Sequence, residues 1–369
     1  VIPQIQPWID EEELEELRKV IESTFVTESR ATEKFEGLLK DYTGAKYAIA
    51  VCNGTMGLFI ALKVLGIGPG DEVIVPDLTF IASANAVILT GAKPVFCDVD
   101  PKTFCILPEK IEEKISSRTK CIMPVHLYGQ SADMDRILKI AKRYSLSVVE
   151  DAAQGIGVRF LGRHVGTFGE AGVLSFYGNK TITTGEGGVI LTNDSTIARD
   201  CYRLKNHGRD RKGIFVHDTI GFNFCFTDLQ AAIGISQMKK LPRIIARKKE
   251  IREKYVEAFR DLSSFLTPAY VDPRVEPVFW FSNFLTENVE SLSAFLEKYG
   301  IQIRRFFYPL HLQKCYQDPR TGVDTSGDYP NAVNAYKKGF SLPSSAILTG
   351  EEQEEVIKRV REFFTTFCA

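Results

Sequence analysis

The sequence predicts an α/β fold: a mostly parallel central sheet covered by helices, followed by a smaller C-terminal α+β domain. Two observations of pattern and one of length predict it. From Lys46 onward, short β-rich runs alternate with helical runs, which implies right-handed crossovers and a sheet buried on both faces. The periodicity turns almost wholly helical from about Thr227 to Leu262, and strands and helices then mix again. The 369 residues exceed the ~250–300 at which single cores tend to split. The expected division is an N-terminal arm with a large domain over residues 1–255 and a small domain over 256–369.

Residues 10–22 and 30–41 carry helical periodicity with dense charge and read as arm or cap helices. "KYAIAV" (46–51) is a buried strand, "NGT" a turn, and "MGLFIALKVLG" (56–66) a helix closed by Gly66. The alternation repeats: "DEVIVP" is a strand and "TFIASANAVILTG" a helix stopped by Gly91. "KPVFCDV", "KCIMPV" and "LSVVED" are strands, separated by the helices "LPEKIEEKI" and "DMDRILKIAKRY". "AGVLSFY" and "GGVILT" add two strands with a turn between them. Helical periodicity resumes at "STIARDCYRLKNHG", and the long helix after it is expected to be interrupted once, at Pro242. "VFWFSNFLT", "VESLSAFLEKYG", "IQIRRFFYPL" and "TGEEQEEVIKRVREFFTTF" make up the small domain, with Thr349 capping the last helix.

Composition excludes several function classes. Forty-six basic against 47 acidic residues leave a net charge of −1, so no broad cationic field points to nucleic acid. No stretch reaches the ~18–20 apolar residues of a membrane span, and "VIPQIQPWID" lacks the pattern of an export signal. Eight cysteines, spread singly from Cys52 to Cys368, read as reduced thiols of a cytoplasmic protein. Five histidines without zinc-like spacing predict no metal site.

Three features fall at the carboxyl ends of expected strands, where open parallel sheets bind ligands. At "NGTMG" (53–57) a strand gives way to a helix, whose first amides and the Thr55 hydroxyl form an anion site; taken alone, this element is better explained as a plain helix cap after a turn. At "VVEDAAQ" (148–154) two carboxylates follow a buried β-branched pair, and an acid there needs a cationic or donor partner. Asp151 suits a protonated ring nitrogen, and a carboxylate accepting loop amides is the alternative. Lys180 lies in "SFYGNKTITTGEGG"; desolvated in the same crevice, its amine would be reactive enough to form a Schiff base. The rival motifs are missing: no GxxxxGK phosphate loop, no GxGxxG with an acid downstream, and no GxSxG elbow.

Taken together and in order, "NGTMGL", "PDLTFIASANAV", "VHLYGQ", "EDAAQ", "SFYGNKTITTGEGG", "NHGRD", "GFNFCFTDLQAAIG", "RRFFYPLH" and "LPSS" resemble one family along essentially the whole chain. It is the sugar aminotransferases of the DegT/DnrJ/EryC1/StrS type. They use pyridoxal 5′-phosphate (PLP), act on nucleotide-linked keto sugars and have the fold type I architecture. The "GNKTITTGEGG" form is most similar to perosamine-synthase-type enzymes, which aminate C4 of a 4-keto-6-deoxyhexose.

The resemblance implies that Lys180 holds PLP as an internal aldimine and later shuttles a proton, with pyridoxamine 5′-phosphate (PMP) as the form between half-reactions. Asp151 would pair with the pyridine nitrogen, Phe80 stack on one ring face, Ala153 contact the other, and Gln154 bond the ring hydroxyl. Gly54, Thr55, Met56 and Ser175 would form the phosphate site, joined by Asn223 from the neighbouring subunit of a homodimer. Arg304, Arg305, Tyr308 and His311 are candidate sugar-nucleotide contacts, with solvated surface charge as their alternative. The implied reaction moves the amino group of L-glutamate to C4 of a nucleotide-diphospho-4-keto-6-deoxyhexose. Amination at C3 and a non-catalytic sugar-nucleotide binder are the alternatives. Some relatives that dehydrate C3 have histidine where this chain has Lys180, so the lysine favours amino transfer.

Overall fold

Two charged helices precede the sheet, α1 (Glu11–Ser23) and α2 (Arg30–Thr43). Asp10 caps α1 in a capping box with Glu13, which fixes where the helix begins. The computed structural model describes residues 1–210, 213 and 215–367.

The large sheet follows in alternating units: β1 (Tyr47–Val51), α3 (Gly54–Val64), β2 (Glu72–Pro76), α4 (Ala82–Leu89), β3 (Lys93–Cys97), the single turn α5 (Pro108–Ile111), β4 (Thr119–Ile122), α6 (Met134–Tyr144) and β5 (Ser147–Asp151). A small hairpin, β6 (Arg159–Phe160) and β7 (Arg163–His164), leads to β8 (Ala171–Ser175) and β9 (Gly188–Thr192). The seven strands lie in the order β1-β9-β8-β5-β4-β2-β3. Every neighbouring pair from β8 to β3 is parallel, whereas β9 runs antiparallel to both β1 and β8. The reversal has a local cause: no crossover helix separates β8 from β9, only the turn that carries Lys180.

Two further helices complete this part, α7 (Ser195–Lys205) and α8 (Asp228–Ala258). Thr227 caps α8 in a capping box with Gln230. The expected interruption at Pro242 is absent, because α8 continues through it. Pro242 is exposed between buried Leu241 and Ile244, so packing of its neighbours holds the helix through it. α1 and α2 lie against α8, and buried Lys240 ties it to Asp10 and Glu13 at 2.5 and 2.6 Å.

The last third contains β10 (Thr267–Pro268), β11 (Val275–Glu276), β12 (Ser282–Leu285), α9 (Val289–Glu297), β13 (Arg304–Arg305), α10 (Pro330–Lys338), β14 (Gly339–Leu342) and α11 (Gly350–Phe367). Four of its strands form a second, smaller sheet in the order β10-β12-β14-β13. Thr349 and Glu352 make the expected cap of α11. A second apolar core gathers here on Ile251, Tyr255, Phe284, Leu292, Phe340 and Val360. The two parts interlock. α8 passes from the first core to the second without a break, β11 pairs with β6, and Ile2 bridges to Ile301. Cys52, Cys97, Cys105, Cys121, Cys201, Cys225 and Cys315 are free thiols, and Cys368 lies outside the described residues. Among the described residues no helix is long and apolar enough to cross a membrane.

Candidate active site

The carboxyl ends of β1, β2, β5 and β8 open on a single cleft of about 470 Å³. The antiparallel β9 begins at the same edge, so the segment between β8 and β9 closes one side of it. All three features singled out in the sequence meet there.

Lys180 sits in the β8–β9 segment, whose threonines act as internal ties. Thr183 Oγ1 donates to Phe176 O (3.0 Å), and Gly185 N donates to Thr183 Oγ1 (2.9 Å). Gly187 is required by space, since a Cβ there would lie 2.3 Å from Thr184 Oγ1 and 2.8 Å from the Phe226 ring. The Lys180 amide donates to Tyr177 O (2.9 Å), and the side chain reaches inward until Nζ stands 4.4 Å from the centre of the Trp280 ring. Burial pushes the Lys180 amine down to about 8; nearby Asp151 opposes this and Arg304 adds to it.

The two adjacent carboxylates at the end of β5 face opposite sides, as strand alternation dictates. Glu150 is fully buried and accepts from the amides of Gly166, Phe168 and Gly169 at 2.7, 2.6 and 2.8 Å. Burial opposes its charge, but the bond with His126 Nε2 (2.9 Å) and these amides hold its carboxyl below the usual range. Asp151 lines the cleft. Ser83 Oγ donates to its Oδ2 (2.6 Å) and the Ala153 amide to its Oδ1 (3.1 Å). Those two donors leave acceptor capacity for a cation in the cleft. Gln154 has its Oε1 engaged by the Tyr128 amide (2.7 Å), so its NH₂ is the group left to donate.

Opposite, α3 begins at Gly54, two residues ahead of the expected Met56. Asn53 caps it by accepting from the Met56 amide (2.9 Å), so Met56 spends its N–H on the cap. The amides of Gly54 and Thr55 are not used by that cap, and both residues line the cleft. A Cβ on Gly54 would stand 3.1 Å from Ser175 Cβ, so the missing side chain lets the helix end meet β8. Phe80, 54% exposed, lies on the cleft wall 5.9 Å from the Phe307 ring, with Ala153 also lining the cleft.

Of the four candidates from "RRFFYPLH", only Arg304 lines the cleft. Arg305 is paired with Glu290 (3.0 Å) and lies over Tyr336. Tyr308 packs edge-on against Tyr336. His311 is a clamp: its Nδ1 is 2.6 Å from Asp77 Oδ2 and its amide donates to Asp77 Oδ1 (2.8 Å). Asn223 is exposed and lies outside the cleft of its own chain. Phe222 and Phe224 on either side of it pack on Phe59 at 5.3 and 6.2 Å.

Sequence reasoning missed Asn53, Ser83, Glu186, Trp280 and Phe307. Asn53 carried a legible signal, because Asn before Gly-Thr at a helix start is a favoured cap. Trp280 is one of only two tryptophans, which was the available hint.

The cleft therefore offers amides for an anion, a carboxylate for a cationic ring atom, aromatic walls for a flat ring and an amine for a carbonyl. PLP has those four complementary parts. A family model described as the DegT/DnrJ/EryC1/StrS aminotransferase family matches residues 7–361. The GDP-perosamine synthase of Escherichia coli O157:H7 is 38% identical over 368 residues, covering 99% of each chain. The crystal structure of DesV from S. venezuelae in complex with a ketimine intermediate superposes with a TM-score of 0.90 at 32% identity, covering 96% of this chain and 94% of that one. NtdA from Bacillus subtilis with bound cofactor PMP gives 0.88 at 32% identity, covering 96% and 82%.

Proposed function

Since the chain belongs to the DegT/DnrJ/EryC1/StrS aminotransferase family, we propose that it transfers the amino group of L-glutamate to C4 of a nucleotide-diphospho-4-keto-6-deoxyhexose. The products are 2-oxoglutarate and a 4-amino-4,6-dideoxyhexose nucleotide. The observation that carries this reading is the meeting of the Lys180 amine and the Asp151 carboxylate in one cleft. The likeness to a GDP-perosamine synthase supports C4 as the position aminated.

In this reading Lys180 would hold PLP covalently, Asp151 would pair with the pyridine nitrogen, and the Gly54 and Thr55 amides with Ser175 would hold the phosphate. Phe80 and Ala153 would pack against the ring, and the Gln154 NH₂, its Oε1 already engaged by the Tyr128 amide, would be free to donate to the ring hydroxyl. When bound, PLP supplies an electron sink for the carbon that loses its proton. The Lys180 amine, pushed down to about 8 by burial, would accept that proton and return it. Arg304 at the cleft wall attracts the anionic groups of either substrate. Asn223 of a second copy completes the phosphate site.

PLP added to cofactor-free protein should give a visible absorption band that glutamate bleaches, with 2-oxoglutarate formed in equal amount. The band should be absent in Lys180→Ala. Its rate of appearance should climb with pH and level off above about 8, because below that value Nζ is mostly ammonium. At pH 7 about one tenth of it is free amine. Turnover of a 3-keto but not a 4-keto sugar nucleotide, identified by product NMR, would move the reaction to C3. A normal band in Lys180→Ala would reject Lys180 as the carrier.

A further inference from the structure

Among the described residues, three lysines besides Lys180 are buried: Lys205, Lys240 and Lys248. Lys205 faces Glu28 and Lys240 faces Asp10 and Glu13. Lys248 on α8 instead donates to two main-chain oxygens, Trp280 O at 3.0 Å and Ser344 O at 2.8 Å. Burial pushes the Lys248 amine down to about 7, and holding it against carbonyls alone is costly, so this position calls for an explanation beyond stability.

Trp280 supplies one. It is 2% exposed and stands just before β12, where the last third of the chain meets the cleft. Its carbonyl is held by Lys248, and its indole Nε1 donates to Asn179 O at 2.6 Å, the residue immediately before Lys180. Phe281 stacks on the ring at 3.9 Å between centres. Held at both ends, the ring lies 4.4 Å from Lys180 Nζ.

We infer that Trp280 is a positioning residue for the Lys180 amine, and that Lys248 fastens Trp280 from the long helix. A free lysine side chain samples many rotamers, and a rigid aromatic plate beneath its tip selects the one aimed into the cleft. The plate also displaces water that would restore the amine's ordinary basicity. The charged groups acting on Lys180 are Asp151 and Arg304, and neither contacts Lys248.

This inference rests on Lys180 being the amine that carries PLP. Its test starts from cofactor-free protein, so that one readout needs neither cofactor nor turnover. Acetylation of Lys180 by acetic anhydride, followed by mass spectrometry across pH, reports the fraction of free amine. In Trp280→Phe and in Lys248→Met the midpoint should rise by about one unit toward that of a free lysine. Affinity for PLP, read from the visible band, should fall about tenfold in both. With Trp8 replaced by phenylalanine, Trp280 emission should shift to the red in Lys248→Met before any PLP is added. A folded Trp280→Phe protein, by circular dichroism, with unchanged midpoint and affinity overturns the inference. Should Lys248→Met fail to fold, Lys248→Gln replaces it; an unchanged emission there removes Lys248 from the device. A band that persists in Lys180→Ala instead defeats the function proposed above and is distinguishable from either result.

Discussion

Glu150 and Asp151 share a backbone segment and have opposite surroundings. The first is saturated by three amides and a histidine; the second accepts from Ser83 and the Ala153 amide, both on its own side of the strand. Their substitutions should therefore fail in different ways. Asp151→Asn should stay folded and lose about 10²-fold in both half-reactions, the scale for removing an electrostatic stabiliser. Glu150→Gln should lose on the order of 2–4 kcal/mol of stability, because an NH₂ group would face N–H donors in a dry site. Urea titration and single-turnover kinetics separate the two, and a stable, slow Glu150→Gln protein would mean the roles are exchanged. The charge pair was legible in the sequence, and alternation fixes that the two point apart. The resemblance carried by "EDAAQ" assigned the ligand side to Asp151, but the burial of Glu150 on the amides of 166–169 has no local pattern that reveals it. His311 shows the reverse case: a residue that reads as a ligand contact is held by Asp77, from a segment 234 residues away.

At the scale of elements, apolar periodicity located nearly every strand and helix of the large sheet. It placed the start of α3 late, because Gly54 and Thr55 are poor helix formers that add nothing to the apolar run. The cap that overrides propensity is Asn53, and the same cap leaves two amides for the ligand. Asn53→Ala should cost about 1 kcal/mol of stability and weaken PLP binding, with Asn53→Ser recovering most of both. Equal affinity in Asn53→Ala, measured by titration, would show that the helix end holds its geometry without the cap. The passage of α8 through Pro242 was illegible for a different reason: only the tertiary burial of Leu241 and Ile244 on either side of the proline reveals that the helix is held there.

For the whole molecule, the prediction that matters concerns a second copy. Asn223 lies between two phenylalanines that both pack inward on Phe59, so the asparagine between them is left exposed. We propose that it enters the cleft of a partner. Lys180→Ala and Asn223→Asp proteins, each inactive, should then regain activity when mixed and allowed to exchange. Random exchange into two-fold dimers should restore about a quarter of the native sites. Exchange proven by mass, with no activity at saturating PLP, would reject the shared site.

The sheet order carries one more consequence, for the growing chain on the ribosome. Of the seven strands of the large sheet β1 is made first, and among the described residues its neighbour within that sheet is β9. About 140 residues must be translated before that neighbour exists, roughly 7–30 s at ordinary elongation rates. Through that interval an apolar strand, Tyr47–Val51, leaves the exit tunnel without its sheet partner. Any chain cut short before Thr192 keeps that strand unpaired for good, which marks such fragments for chaperones or proteases.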